Sequence, residues 1–236
     1  MTMAKSTLLA SAAAIGMISG GTIASAQDLF SGLYLSGGAG VNFLNDITLT
    51  PGTTSINPRV LDFETGFVGS VALGTMIGQH FRAEGELSFR HNDVESVTVQ
   101  NEGPQGFNGG EATAFAVMLN GWFDLPTGTN FTPYVGGGIG GAEISINADT
   151  NAAGPCSPPC VAVNFDGSDF VFAFQLGTGV AFGAAGGPQL TLDYRYFHAD
   201  GIDVPYTGWG SGSPASASDY EAHSIMLGGR IPIGGP

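Results

Sequence analysis

The sequence predicts an all-β protein, an eight-stranded antiparallel up-and-down transmembrane β-barrel, from three observations. Eight segments with period-two patterning, each bounded by turn-forming residues, follow one another along the chain. Their connections alternate strictly between long and short. The 39 glycines are interleaved with bulky apolar residues and only 11% of the chain is charged, without collagen triplets and without the roughly 18-residue apolar run that a spanning helix needs.

The segments are residues 32–43, 62–74, 81–92, 111–124, 131–144, 169–182, 189–198 and 219–233, lengths that suit tilted strands crossing a hydrocarbon core. Long connections at 44–61, 93–110, 145–168 and 199–218 fall on one side, and short ones at 75–80, 125–130 and 183–188 on the other. A soluble sandwich has no reason to sort its loops by length. In the third segment Phe81, Ala83, Gly85, Leu87 and Phe89 share one face, while Arg82, Glu84, Glu86, Ser88 and Arg90 share the other. The sixth sets Phe170, Phe172, Phe174, Leu176, Val180 and Phe182 against Asp169, Ala173, Gln175, Gly177 and Gly179. The seventh sets Leu190, Leu192, Tyr194 and Tyr196 against Thr191, Asp193 and Arg195. A water-soluble barrel would turn the oily face inward. Here the small and charged face suits the tight interior of eight strands, so the oily face is predicted to meet lipid. Closure then pairs every strand N–H and C=O with no open edge.

The start of the chain predicts export. Lys5 precedes the apolar stretch from Leu8 to Ile18, and Ala24-Ser25-Ala26 has the small-x-small form of a signal-peptidase site. The expected organisation is a signal peptide at 1–26 and one barrel domain at 27–236. Cleavage moves the formal charge from -14 to about -15, carried by 20 carboxylates against five arginines. Nucleic acid is excluded as a partner, since scattered cations cannot displace the counterions of a phosphate backbone. Such acidity suits solvated loops or attracts divalent cations. In an oxidising compartment Cys156 and Cys160 are expected to form a local disulfide at a loop tip, and two thiols without a nearby histidine make a poor metal site.

Glu64, Arg82, Glu84, Glu86, Arg90, Asp193, Arg195 and Arg230 all take inward parity. Buried charges persist only when compensated, so these residues are expected to pair as a structural plug; the alternative is a charged constriction in a small ion pathway. Eight strands leave barely enough room for side chains, which favours the plug. Tyr34, Trp122, Phe123, Phe131, Tyr194, Tyr196 and Tyr220, with Phe30, are expected in interfacial aromatic girdles. No catalytic group is expected. His223 and Ser224 are adjacent and so point to opposite faces, and His91 and His198 at the strand mouths have no serine beside them. Gly136 to Gly140 lacks the Lys-Ser/Thr end of a phosphate loop, the loop acids lack EF-hand spacing, and neither cofactor nor metal is expected.

The first segment's Gly32-Leu33-Tyr34-Leu35-Ser36-Gly37-Gly38-Ala39-Gly40 and the third's Phe81-Arg82-Ala83-Glu84-Gly85-Glu86-Leu87-Ser88-Phe89 carry a family resemblance, together with Thr132 to Gly140 and Leu192-Asp193-Tyr194-Arg195-Tyr196. Across nearly the whole mature chain the protein resembles the small bacterial outer-membrane β-barrels, a superfamily that includes the OmpA-like transmembrane domain, opacity-type proteins and porin-like surface antigens of α-proteobacteria. That resemblance implies an outer-membrane location and a structural scaffold or surface antigen presenting four long extracellular loops. A narrow porin-like channel is the alternative, and a lipid-modifying enzyme a third reading. Implied partners are outer-membrane lipid and lipopolysaccharide, the barrel-assembly machinery, and host or surface ligands at the loops. The family usually ends on an aromatic residue read during assembly, whereas this chain ends Arg230-Ile231-Pro232-Ile233-Gly234-Gly235-Pro236.

Overall fold

A computed structural model describes residues 32–52, 57–100, 103–104, 109–150, 163–184, 186–207 and 215–233. The expected leader, Phe30 and the Cys156 and Cys160 pair lie outside the described residues. Eight long strands form the barrel: β1 (Leu33–Leu44), β2 (Gly66–Ile77), β3 (Phe81–Val99), β4 (Gly109–Asp124), β5 (Phe131–Thr150), β6 (Val163–Phe182), β7 (Gln189–Ala199) and β8 (Tyr220–Pro232). Each pairs antiparallel with its neighbours in sequence, and β8 closes the ring on β1 from Leu44↔Ala222 to Tyr34↔Pro232.

The register fixes the size of the barrel. Followed from strand to strand, the partners of Leu33 are Thr75, Ala83, Gly121, Gly137, Leu176, Tyr196 and His223, and the circuit returns to β1 at Phe43, ten residues along. With eight strands that stagger corresponds to a tilt of about 40° and a backbone radius of about 8 Å. An interior so narrow is filled by side chains from opposing walls.

The strands that run on past the belt change their environment along their length, and the alternation changes sense with it. In β3 the outward positions read Phe81, Ala83, Gly85, Leu87 and Phe89, then His91, Asp93 and Glu95. The inward ones read Arg82, Glu84, Glu86, Ser88, Arg90 and Asn92, then Val94. β5 repeats the inversion: Val135 and Ile139 face out below Glu143, while inward glycines 136, 138 and 140 give way to Ala142, Ile144 and Ile146. One band of the surface is therefore oily outside and polar inside, and the region above it is the reverse. Leu119 at 66% exposure, Phe170 at 68% and Leu227 at 66% lie within a continuous apolar belt far larger than the patches that soluble monomers expose. Lipid is the solvent that such a belt requires.

Above the belt, at the long-connection end, the structure departs from the expected loops. Regions read as connections hold further strands, because inter-strand hydrogen bonds continue into water. β3, β5 and β6 extend beyond the belt, and Ile47–Pro51 pairs with Arg59–Phe63, which lies against the upper end of β3. Ala215–Ala217 pairs with Ile47–Pro51 and with Asp203–Val204. Ile47, Leu49, Leu61, Phe165, Val204 and Tyr220 pack there into an apolar core, and inward alanines such as Ala114, Ala142 and Ala173 leave room for it. This crown, with its apolar side chains turned inward, is continuous with the membrane barrel.

Candidate functional site

The lumen at belt level holds four arginines and four carboxylates, all buried: Arg82, Arg90, Arg195 and Arg230 with Glu84, Glu86, Asp124 and Asp193. Formal charge is balanced there. At the short-turn end Arg82 lies 2.6 Å from Glu84 and 3.0 Å from Asp124, and its Nη1 donates to Tyr34 Oη at 3.1 Å. Glu84 also accepts from Tyr34 Oη at 2.5 Å and from Trp122 Nε1 at 2.9 Å. Arg230 approaches Asp124 at 3.7 Å and donates to Gln189 at 3.0 Å. Asp193 accepts from Tyr134 Oη at 2.6 Å.

One layer higher, Glu86 is the acceptor for a second cluster. Arg195 Nη1 and Asn120 Nδ2 donate to its Oε2, the latter at 3.1 Å, while Gln175 Nε2 donates to Oε1 at 3.1 Å. Gln175 also donates to Asn120 Oδ1 at 2.7 Å. Arg90 is held differently: its guanidinium lies 3.9 Å from the Phe197 ring centroid and donates to Ser88 Oγ at 2.9 Å. Asn42, Asn92 and Ser224 complete the polar layer through bonds of 2.6 and 2.7 Å. Burial strengthens each of these contacts and makes each partner expensive to lose.

The glycines make this packing possible. Three of the lumen aromatics lie across from a glycine on the next strand: Tyr34 from Gly74, Trp122 from Gly136 and Tyr134 from Gly179. A Cβ at Gly74 would come within 2.4 Å of the Tyr34 ring, and one at Gly179 within 2.6 Å of the Tyr134 ring. Ring and glycine thus form one packing unit on the curved wall.

Seven of the eight charges expected inside face the lumen. Glu64 requires correction: it is exposed and precedes β2, so its carboxylate stands outside while its backbone carbonyl accepts from Asn92. The break falls at Glu64 and Thr65, between the strand Arg59–Phe63 and β2, so the alternation does not carry across it. Tyr34, Trp122 and Tyr220, expected in the girdles, are buried in the interior instead. Trp122 shares parity with Asn120 and Asp124, and that signal was available in the sequence. Asp124, Tyr134, Asn120 and Gln175 were missed as members of the network. On the outer surface His223 Nδ1 lies 2.8 Å from the Tyr194 hydroxyl while Ser224 faces the lumen, so the adjacent pair is divided between two faces.

A closed strand ring, a lipid-facing belt and a packed, charge-balanced interior define a small transmembrane β-barrel. Residues 10–229 match the outer membrane protein beta-barrel domain family, and the chain belongs to it; its location is the outer membrane. An uncharacterized protein of Brucella abortus (strain 2308) is 34% identical over 93 residues, which cover 39% of this chain and 32% of that protein. The outer membrane protein PagN of Salmonella typhimurium is 23% identical over 113 residues, 44% of this chain and 45% of PagN. The chain thus spans less than half the length of these relatives. Among solved structures, the outer membrane protease OmpT of Escherichia coli superposes with a TM-score of 0.51 at 8% identity, covering 86% of this chain and 97% of OmpT. OprG of Pseudomonas aeruginosa gives 0.49 at 14% identity, covering 87% and 98%. At 8% identity the likeness to OmpT is one of fold.

Proposed function

We propose that this outer-membrane barrel is a non-conducting, non-enzymatic scaffold that presents its folded crown to the exterior as an interaction surface. The observation that carries the reading is the closed lumen. The polar cavity bounded by Arg82, Glu84, Glu86, Trp122, Asp193 and Arg195 has a volume of about 30 Å³, room for only a few water molecules. Above it the apolar crown core blocks the axis with residues such as Ile47 and Leu49, both fully buried. An ion would meet a matched salt-bridge plug and then a dry layer. On such a scaffold the strands anchor and the loops interact. Outer-leaflet lipid and lipopolysaccharide surround the belt under this reading, the assembly machinery inserts the barrel, and host or surface ligands meet the crown.

Reconstituted in planar bilayers, the wild-type protein is expected to give no stable conductance steps. Steps that vanish on neutralising Arg82 or Glu84 would overturn the plug and establish an ion pathway.

A further inference from the structure

The geometry points to a divalent transition-metal site at the outer rim of the barrel, formed by His91, Asp93 and Glu111, with zinc the ion that its donors suit. His91 and Asp93 lie two residues apart on the outward face of β3, and Glu111 stands directly across from Asp93 on β4. His91 Nε2 is 3.4 Å from Asp93 Oδ1, and Nδ1 is 3.8 Å from Glu111 Oε2. One ligand atom from each residue lies within 4.8 Å of the others, and among the described residues this group is the one that converges so. Tetrahedral zinc with bonds of about 2.1 Å separates neighbouring ligand atoms by about 3.4 Å, so the His91–Asp93 edge is already set. The Glu111 side chain is 53% exposed and can turn to complete the triad. The Phe67 ring, with its centroid 5.3 Å away, flanks the imidazole.

The surroundings call for a cation. Like charges directly opposite one another on paired strands repel, and Asp93 faces Glu111. No arginine or lysine on the described surface separates them, since all five arginines are buried. Imidazole with two carboxylates is a donor set for zinc rather than for magnesium or calcium, and three protein ligands leave a fourth position for water. A metal there would clip β3 to β4 where the belt ends. The site lies outside the lumen and is independent of whether the barrel conducts.

A built-in control stands on β7. His198 has Asp200 two residues on and Glu221 directly opposite, at 3.8 and 3.4 Å, and Asp219 at 4.0 Å. There Glu221 already accepts from Tyr196 at 3.0 Å and from Asn45 at 3.1 Å, and among the described residues its group does not bring three ligand atoms together as His91, Asp93 and Glu111 do. The experiment is calorimetric titration of tag-free protein, folded in detergent micelles, with zinc chloride, each variant being checked for heat-modifiable migration. One zinc site is expected, weakened at least about tenfold by His91→Ala and by Asp93→Asn with Glu111→Gln, and changed less than about twofold by His198→Ala. Absence of zinc binding overturns the assignment. So does binding that His91→Ala leaves intact, or that His198→Ala weakens equally.

Discussion

Replacing Glu86 by leucine is expected to lower the unfolding free energy of the lipid-embedded barrel by about 3–5 kcal/mol, read from urea denaturation followed by tryptophan fluorescence. The size follows from what remains behind. Glu86 is the near counter-ion of Arg195 and the acceptor for both Asn120 and Gln175. Without it the buried Arg195 keeps only the longer 3.7 Å approach to Asp193 among carboxylates. Removing both charges, with Glu86→Leu and Arg195→Leu together, should recover most of the loss, because a buried pair contributes little net stability over a packed apolar one. Asn120 and Gln175 retain the 2.7 Å bond to each other in that variant. A double variant no more stable than Glu86→Leu alone would show that the residues do not act as a compensating pair.

The second large effect lies on the other face of the wall. Leu119→Arg places a charge in the middle of the belt, where 66% of the leucine is exposed, and should destabilise the protein in lipid vesicles by about 2–4 kcal/mol. The same substitution on a water-facing surface would be near neutral, within about 0.5 kcal/mol. Glu95→Arg supplies that comparison, since Glu95 is exposed on β3 above the belt. Equal effects at the two positions would mean that both meet the same solvent.

The belt was legible in the sequence because lipid imposes a strong contrast on alternate residues, and the segments 81–92, 169–182 and 189–198 show it. The crown was not read, although Val94 and the run Ile144, Ile146, Ala148 keep the period of two. There the oily residues point inward and the polar ones outward, so the expected membrane pattern ends while the strand continues. Assignments that depend on parity within a strand, such as Arg82, Glu84 and Glu86, follow from the sequence alone. Those that depend on which glycine stands opposite, such as Tyr34 over Gly74 and Trp122 over Gly136, need the cross-strand register. Glu64 shows the converse: parity extended across the break at Glu64 and Thr65 puts the side chain on the wrong side.

Nitroxide labels placed singly at Leu87, Leu119 and Glu95 in bilayer-embedded protein report which solvent touches each position. Collisions with dissolved oxygen should dominate at positions 87 and 119, and collisions with a water-soluble nickel chelate at position 95. Chelate access at 87 and 119 equal to that at 95 would mean that water bathes the apolar face, and the membrane barrel would be contradicted.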